Sequence, residues 1–206
     1  MTQHVQPTGP FVATKPLVLG SGSPRRRELL ADLGLQFEIC PSRAEEPAPL
    51  PGEEPDAYAR RMATLKTLEV ASRRPDAAVL GADTIVVLGK RIMGKPSDAQ
   101  DALAMLSALA GTTHQVITGC CMALPGEAPN VFTVSTDVDM RNSSETELRA
   151  YIATGEPFDK AGAYAIQGIG TFLVTAIRGS YTNVVGLPVA RIVDEAKRKG
   201  IIAPSG

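Results

Sequence analysis

The chain has no tryptophan and only four tyrosines and five phenylalanines, which argues against a platform for stacking single-stranded nucleic acid. Cysteine is scarce. Cys40, Cys120 and Cys121 form an odd set without metal-type spacing, and they read as buried or inert thiols of a reducing cytoplasm. Charge of one sign is lacking too: 21 basic residues face 22 acidic ones, so no global field favours nucleic acid or a membrane. No apolar run approaches the length of a membrane span. Residues 1–16 are polar and proline-containing, without the apolar core of a signal peptide, and read as a disordered lead-in. Two familiar phosphate-binding fingerprints are missing. Gly20 and Gly22 lack the third glycine of a dinucleotide motif, and Gly-x-x-x-x-Gly-Lys-Ser/Thr does not occur. The two histidines, His4 and His114, have no neighbours that would make a triad or a zinc site.

The 206 residues suffice for one sizeable α/β domain or two small lobes. An apolar run, Leu17-Val18-Leu19, reads as the opening strand. Leu29, Leu30 and Leu33 follow as a short helical face, with Gly34 placed to end it. Leu35, Phe37 and Ile39 alternate as in a strand, and the Pro- and Glu-rich stretch 41–55 reads as a loop. A helix is expected over 56–73, with Tyr58, Met62, Leu65 and Leu68 as its apolar stripe. Residues 78–80 and 85–88 read as strand, with Gly89-Lys90 turning a hairpin back through Ile92. Ser97-x-x-Gln100 and Ser144-x-x-Glu147 are capping boxes for two helices. Paired strands are expected over 116–124 and 131–140, another strand over 172–177, and a last helix over 188–199. This alternation predicts a mixed sheet covered by helices, with a domain over 17–200 and a tail over 201–206.

The most informative segment is Ser21-Gly22-Ser23-Pro24-Arg25-Arg26-Arg27. Ser23 suits a helix N-cap and Pro24 the first helical position. Three arginines there oppose the helix dipole, at about 0.3–1 kcal/mol each. An anion resolves the conflict, because free amides, the dipole and guanidinium forks would all converge on a phosphate. Elsewhere, Asp83 lies in an apolar region within Gly81-Ala82-Asp83-Thr84, where an unpaired carboxylate is costly, so it needs a partner, a metal or solvent. Lys95, in Gly94-Lys95-Pro96, precedes a helix. Lys66 falls near the buried stripe, so its stem can follow the core while the ammonium reaches a cleft. Glu45 and Glu46 are adjacent, so at most one faces a site.

Taken in order, Ser21-x-Ser23-Pro24-Arg25-Arg26, Gly81-Ala82-Asp83-Thr84, Gly94-Lys95-Pro96, the segment from Asp159 through Gly168, and Gly179 through Pro188 closely resemble the Maf-like family of nucleoside triphosphate pyrophosphatases over about 17–199. The resemblance implies an α/β fold of the Maf/inosine-triphosphatase kind: a mixed twisted sheet flanked by helices, in two lobes with a cleft between them. It also implies frequent homodimers, a divalent metal cation, and hydrolysis of a nucleoside triphosphate to the monophosphate and pyrophosphate. Matched position by position, Asp83 would be the proton acceptor or a metal-linked carboxylate, and Glu46 the loop acid that helps hold the metal. Ser21, Ser23, Arg25, Arg26, Lys66 and Lys95 would meet the triphosphate. Arg26, Thr84 and Gln167 match positions linked to substrate choice. One departure is Leu65, where the family often carries glutamate before the lysine.

The chemistry agrees with that expectation. Three phosphates carry about four negative charges, so a metal and several cations must gather in one cleft. Carboxylates without His/Cys clusters select magnesium or manganese. Water activated by Asp83 or the metal would attack the α-phosphorus, with pyrophosphate leaving in line. The Gln167 amide offers one donor and one acceptor, matching uracil or thymine, whereas a guanine edge presents two donors that favour a carboxylate. The expected substrates are therefore dTTP and UTP. The alternatives are a 7-methyl-GTP pyrophosphatase and a non-catalytic nucleotide-binding regulator of cell division; the sequence does not say whether Arg27 faces the site.

Overall fold

The computed structural model describes residues 9–206; His4 and the first half of the expected lead-in lie outside the described residues. The chain runs β1 (Phe11–Ala13), β2 (Leu17–Leu19), α1 (Pro24–Ala31), β3 (Glu38–Ile39), α2 (Pro55–Arg73), β4 (Ala78–Leu88) and β5 (Arg91–Met93). It continues through α3 (Ala99–Leu109), β6 (Thr113–Ala123), β7 (Asn130–Met140) and α4 (Glu145–Ala153). Three short 3-10 turns between Glu156 and Leu173 lead to β8 (Val174–Arg178), α5 (Tyr181–Val185), α6 (Val189–Arg198) and β9 (Ile202–Pro204).

Local chemistry sets most of these boundaries. Ser23 caps α1 and Pro24 opens it. Ser144 and Glu147 complete a reciprocal capping box on α4. Gly89, at φ +62°, turns β4 back into β5. The box expected at Ser97 does not form, because Asp98 accepts from the Asp101 amide instead and starts the helix one residue later. The strand expected from Leu35 to Ile39 shrinks to Glu38–Ile39, and the short helix α5 appears without having been expected.

Seven strands form a mixed sheet of order β3-β2-β4-β6-β7-β8, with β5 on β4. β2 runs parallel to β3 and β4, and the other pairs are antiparallel. β4 runs unbroken through Gly81-Ala82-Asp83-Thr84, because β6 pairs with it from Val79 to Val87. Its other edge is divided. β2 covers Leu17↔Ala78 to Leu19↔Leu80, β5 covers only Val86 to Leu88, and among the described residues the stretch between them has no strand partner on that side.

Residues alternate across β4. Leu80 and Ala82 join α1 and α6 in one core, while Val86 joins α3 and α4 in a second. Val79, Ile85 and Val87 face α2 on the opposite side. The expected stripe of α2 is displaced: Ala59, Met62, Ala63, Thr67 and Val70 are buried, while Leu65 and Leu68 are 37% and 44% exposed. The cause lies in the sheet. A Cβ on Gly119 would stand 2.9 Å from the Arg60 amide nitrogen and closer still to the Ala59 carbonyl, and one on Gly81 would collide with the Thr67 hydroxyl. Small residues therefore face small residues, and the leucines are turned aside.

Phe11–Ala13 and Ile202–Pro204, expected in a disordered lead-in and a tail, instead pair antiparallel as β1 and β9. Phe11 and Ala13 pack on the same core as Ile201 and Ile202. Burial of these apolar side chains outweighs the entropy of ordering two chain ends. No helix among the described residues is long and apolar enough to cross a membrane.

Candidate active site

A cleft of about 640 Å³ opens where the β4 edge lacks a strand partner. Ser21, Ser23, Arg25 and Arg26 border it from the β2–α1 turn and α1, Glu46 from the loop before α2, and Lys66 from α2. Asp83 and Thr84 enter from β4, Lys95 from beyond β5, and Gln167 from the 3-10 segment. The residues matched to site positions thus border one space, whereas Glu45 does not. Arg27 is exposed and does not line it.

Asp83 is 9% exposed and points toward α2, and its partner is Lys66, with Nζ 2.6 Å from Oδ1. The same ammonium lies 2.8 Å from Glu46 Oε1. Burial opposes the charge on Lys66, but Asp83 and Glu46 together outweigh it and hold the pKa above the usual lysine value. Burial, reinforced by the same two carboxylates, raises the pKa of Tyr58 on the cleft wall. Glu46 and Asp83 are the residues able to hold a metal. Their hard oxygens already converge on one cation, and magnesium accepts one or two protein carboxylates when substrate phosphates complete its shell. No group of three or more His, Cys, Asp or Glu suited to a metal occurs among the described residues, so a cage made by protein alone is absent there.

Thr84 points to the other face of the sheet, where Arg26 meets it. Arg26 Nε donates to the Gly186 carbonyl (2.8 Å), Nη1 to Ala82 O (2.7 Å) and Ser21 Oγ (3.2 Å), and Nη2 to Thr84 Oγ1 (3.0 Å). A guanidinium has five N–H donors, so this side chain, expected to grip phosphate, has one left for an anion. These bonds also tie the β4 edge to the turn after α5. Burial lowers its pKa, only partly countered by Asp83, and arginine stays charged regardless. Ser21 Oγ also accepts from the Ser23 amide (3.3 Å), which leaves its own proton free to donate into the cleft.

Arg25 reaches across the cleft toward Asp159, at 3.9 Å. Lys95 is exposed on the rim. Lys160, which had no assigned role, also borders the cleft, with its ammonium on the Glu156 carbonyl and on Asp159. His114, likewise unassigned, is buried with Nε2 2.7 Å from the hydroxyl of Tyr164, a cleft residue. Burial pushes its pKa down to about 4, so it is neutral. Fifty residues separate the pair, and no local pattern announces the contact.

A family model described as a Maf-like protein matches residues 16–199. A dTTP/UTP pyrophosphatase of Oleidesulfovibrio alaskensis is 54% identical over 96% of this chain and 91% of its own length. One of Nitratidesulfovibrio vulgaris is 51% identical over 95% and 93%. Among solved structures, a nucleoside-triphosphatase/dITP/XTP pyrophosphatase of Mycobacterium abscessus aligns at 12% identity with a TM-score of 0.46, over 90% of this chain and 94% of that one.

Proposed function

Since the chain belongs to the Maf-like family, we propose that it hydrolyses dTTP and UTP to the monophosphate and pyrophosphate. The relatives named for that activity, about half identical over nearly their whole length, support the substrate. The observation that carries the chemistry is the convergence of Lys66, Glu46 and Asp83 at the unpaired edge of β4, with Arg25, Lys95 and Lys160 around the same cleft.

Lys66 takes Asp83 Oδ1, leaving Oδ2 to accept the proton of a water that attacks the α-phosphorus. Arg25, Lys66, Lys95 and the Ser21 hydroxyl receive the triphosphate, whose charge is what allows cations to crowd one wall. A magnesium or manganese ion held by Glu46 and Asp83 would supply neutralisation of the phosphate charge. Gln167 faces the base, and its paired donor and acceptor suit uracil or thymine.

The test is turnover of UTP, dTTP, CTP and GTP by purified protein with magnesium or manganese in ¹⁸O-labelled water. Pyrophosphate release from UTP and dTTP, with the label in the monophosphate, is expected. Release of orthophosphate alone, label in the pyrophosphate, or no turnover would sink the assignment.

A further inference from the structure

Resting on the dTTP/UTP reading, in which Gln167 faces the base, we propose that Glu156 is a positioning residue for base selection: its carboxylate, backed by Tyr151, holds the backbone from which Gln167 reaches the substrate.

Tyr164 and Ala165 before Gln167 and Leu173 after it are buried, but no residue between Ala165 and Leu173 buries an apolar side chain. Ile166 is half-buried, and Gln167, Gly168 and Ile169 are exposed. Between those points the backbone is gathered around one carboxylate. Glu156 Oε1 accepts from the Ile169 amide at 2.9 Å, and Oε2 accepts from the Gly170 amide at 2.8 Å and the Tyr151 hydroxyl at 2.8 Å. Tyr151 Oη accepts from the Ala165 amide at 3.3 Å. The chain is thus tied on both sides of Gln167 to a carboxylate–phenol pair. Tyr151 is itself buried in the core of the α3–α4 lobe, edge-on to Phe172.

The glycines of the segment follow from this anchor. Gly168, at φ +76°, leaves no room for a side chain, because a Cβ there would overlap Glu156 Oε1. A Cβ on Gly170 would stand 2.6 Å from both Tyr151 Oη and Ala165 O. The backbone wraps the carboxylate closely, which only glycine at those points permits. Burial raises the Glu156 pKa, but Tyr151 and the two amides outweigh it and keep the group ionised. Ionisation is required, since both oxygens face N–H donors. Glutamine would set an NH₂ against one of them, losing a bond and leaving two donors opposed.

Selection needs such an anchor. A glutamine amide can rotate to present donor and acceptor in either order, and uracil and cytosine differ by reversal of that order at positions 3 and 4. Discrimination therefore depends on where the Gln167 backbone stands relative to the bound base. Catalytic groups on α1, α2 and β4 touch neither Glu156 nor Tyr151, and Lys160 meets only the Glu156 main-chain carbonyl, which a change of the side chain leaves in place, so the loss should fall on KM and selectivity rather than on kcat.

The test compares kcat and KM for UTP and CTP in wild type, Glu156→Gln, Tyr151→Phe, Gln167→Ala and the Glu156→Gln/Gln167→Ala double variant. Glu156→Gln should raise KM for UTP by about tenfold and lower the UTP-to-CTP ratio of kcat/KM by a similar factor, with kcat within about threefold. Tyr151→Phe, which removes one hydroxyl, should act in the same direction more weakly, and it carries the comparison if Glu156→Gln does not fold. In the Gln167→Ala background, Glu156→Gln should change the ratio by less than about twofold, because its route is already gone. Wild-type selectivity in Glu156→Gln alongside lost selectivity in Gln167→Ala would overturn the positioning role and leave the base reading intact. Full selectivity in Gln167→Ala would overturn the base reading, and with it this role for Glu156. A loss of kcat shared equally by all nucleotides would overturn it as well.

Discussion

Replacing Gly119 with alanine tests the packing that brings α2 onto the sheet. Gly119 lies opposite Asp83 on the neighbouring strand, and both look toward α2. The added Cβ would come 2.9 Å from the Arg60 amide nitrogen and closer to the Ala59 carbonyl. Those are backbone atoms of a helix and cannot rotate away, so α2 must retreat by about 1 Å to restore ordinary contact. Overpacking of this kind costs about 1–3 kcal/mol, and alanine returns about 0.5–1 kcal/mol of backbone entropy, so a net loss of about 1 kcal/mol is expected. The same retreat lengthens the 2.6 Å Lys66–Asp83 contact, and a misplacement of about 1 Å costs on the order of 10²-fold in rate. Gly81→Ala supplies the contrast. Its Cβ meets the Thr67 hydroxyl first and Thr67 Cβ at 3.2 Å, so Thr67→Ala should recover about 1 kcal/mol or more of the loss in the double variant. Thr67→Ala should recover nothing when combined with Gly119→Ala. Urea denaturation and kcat/KM for UTP measure both effects. Wild-type stability and activity in Gly119→Ala, or equal recovery at both glycines, would refute the reasoning.

Lys66→Met leaves Glu46 and Asp83 converging without their ammonium. With Glu46 largely exposed the cost falls below that of a fully buried pair, at about 2 kcal/mol. Added magnesium should raise the melting temperature of that variant more than that of wild type, and equal shifts would contradict the view that the two carboxylates share a cation seat. Asp83→Asn should lower turnover by about 10²–10⁴-fold with the fold retained by circular dichroism, and a fully active variant would remove Asp83 from the chemistry. His114 is 2% exposed, with its pKa lowered from 6.5 to about 4. Below pH 6.5 the unfolded chain therefore takes up a proton that the fold refuses. The stability present above that pH is lost as the pH falls toward 4, by on the order of 3 kcal/mol. His114→Phe should flatten this acid limb in urea unfolding between pH 7 and 4.5, and an equally steep fall would refute it.

Much of the site was legible because its residues contradict their local setting. Arginines at a helix N-terminus, an aspartate inside an apolar stretch and a lysine beside a buried stripe each ask for a distant partner. Lys66 and Asp83 answer one another at 2.6 Å. The glycine-rich segment also drew notice, but Glu156, which ties it down from outside, did not. A glutamate after a helix looks like any exposed acid until its partners are known.

The sequence by itself determined what short-range chemistry can decide: the caps at Ser23 and Ser144, the turn at Gly89 and the mixed α/β class, while Glu46, Thr84 and Gln167 came from the family resemblance. Tertiary structure alone decided the continuity of β4 through Gly81 and Asp83, the rotation of α2 onto Ala59, Ala63 and Thr67, the pairing of the chain ends, and the hydrogen bonds that tie Arg26 to Ala82, Thr84 and Gly186. Each of these depends on a partner far along the chain. Strand pairing and close packing override the preferences of individual residues once both surfaces are present, and no local pattern records which surface that will be.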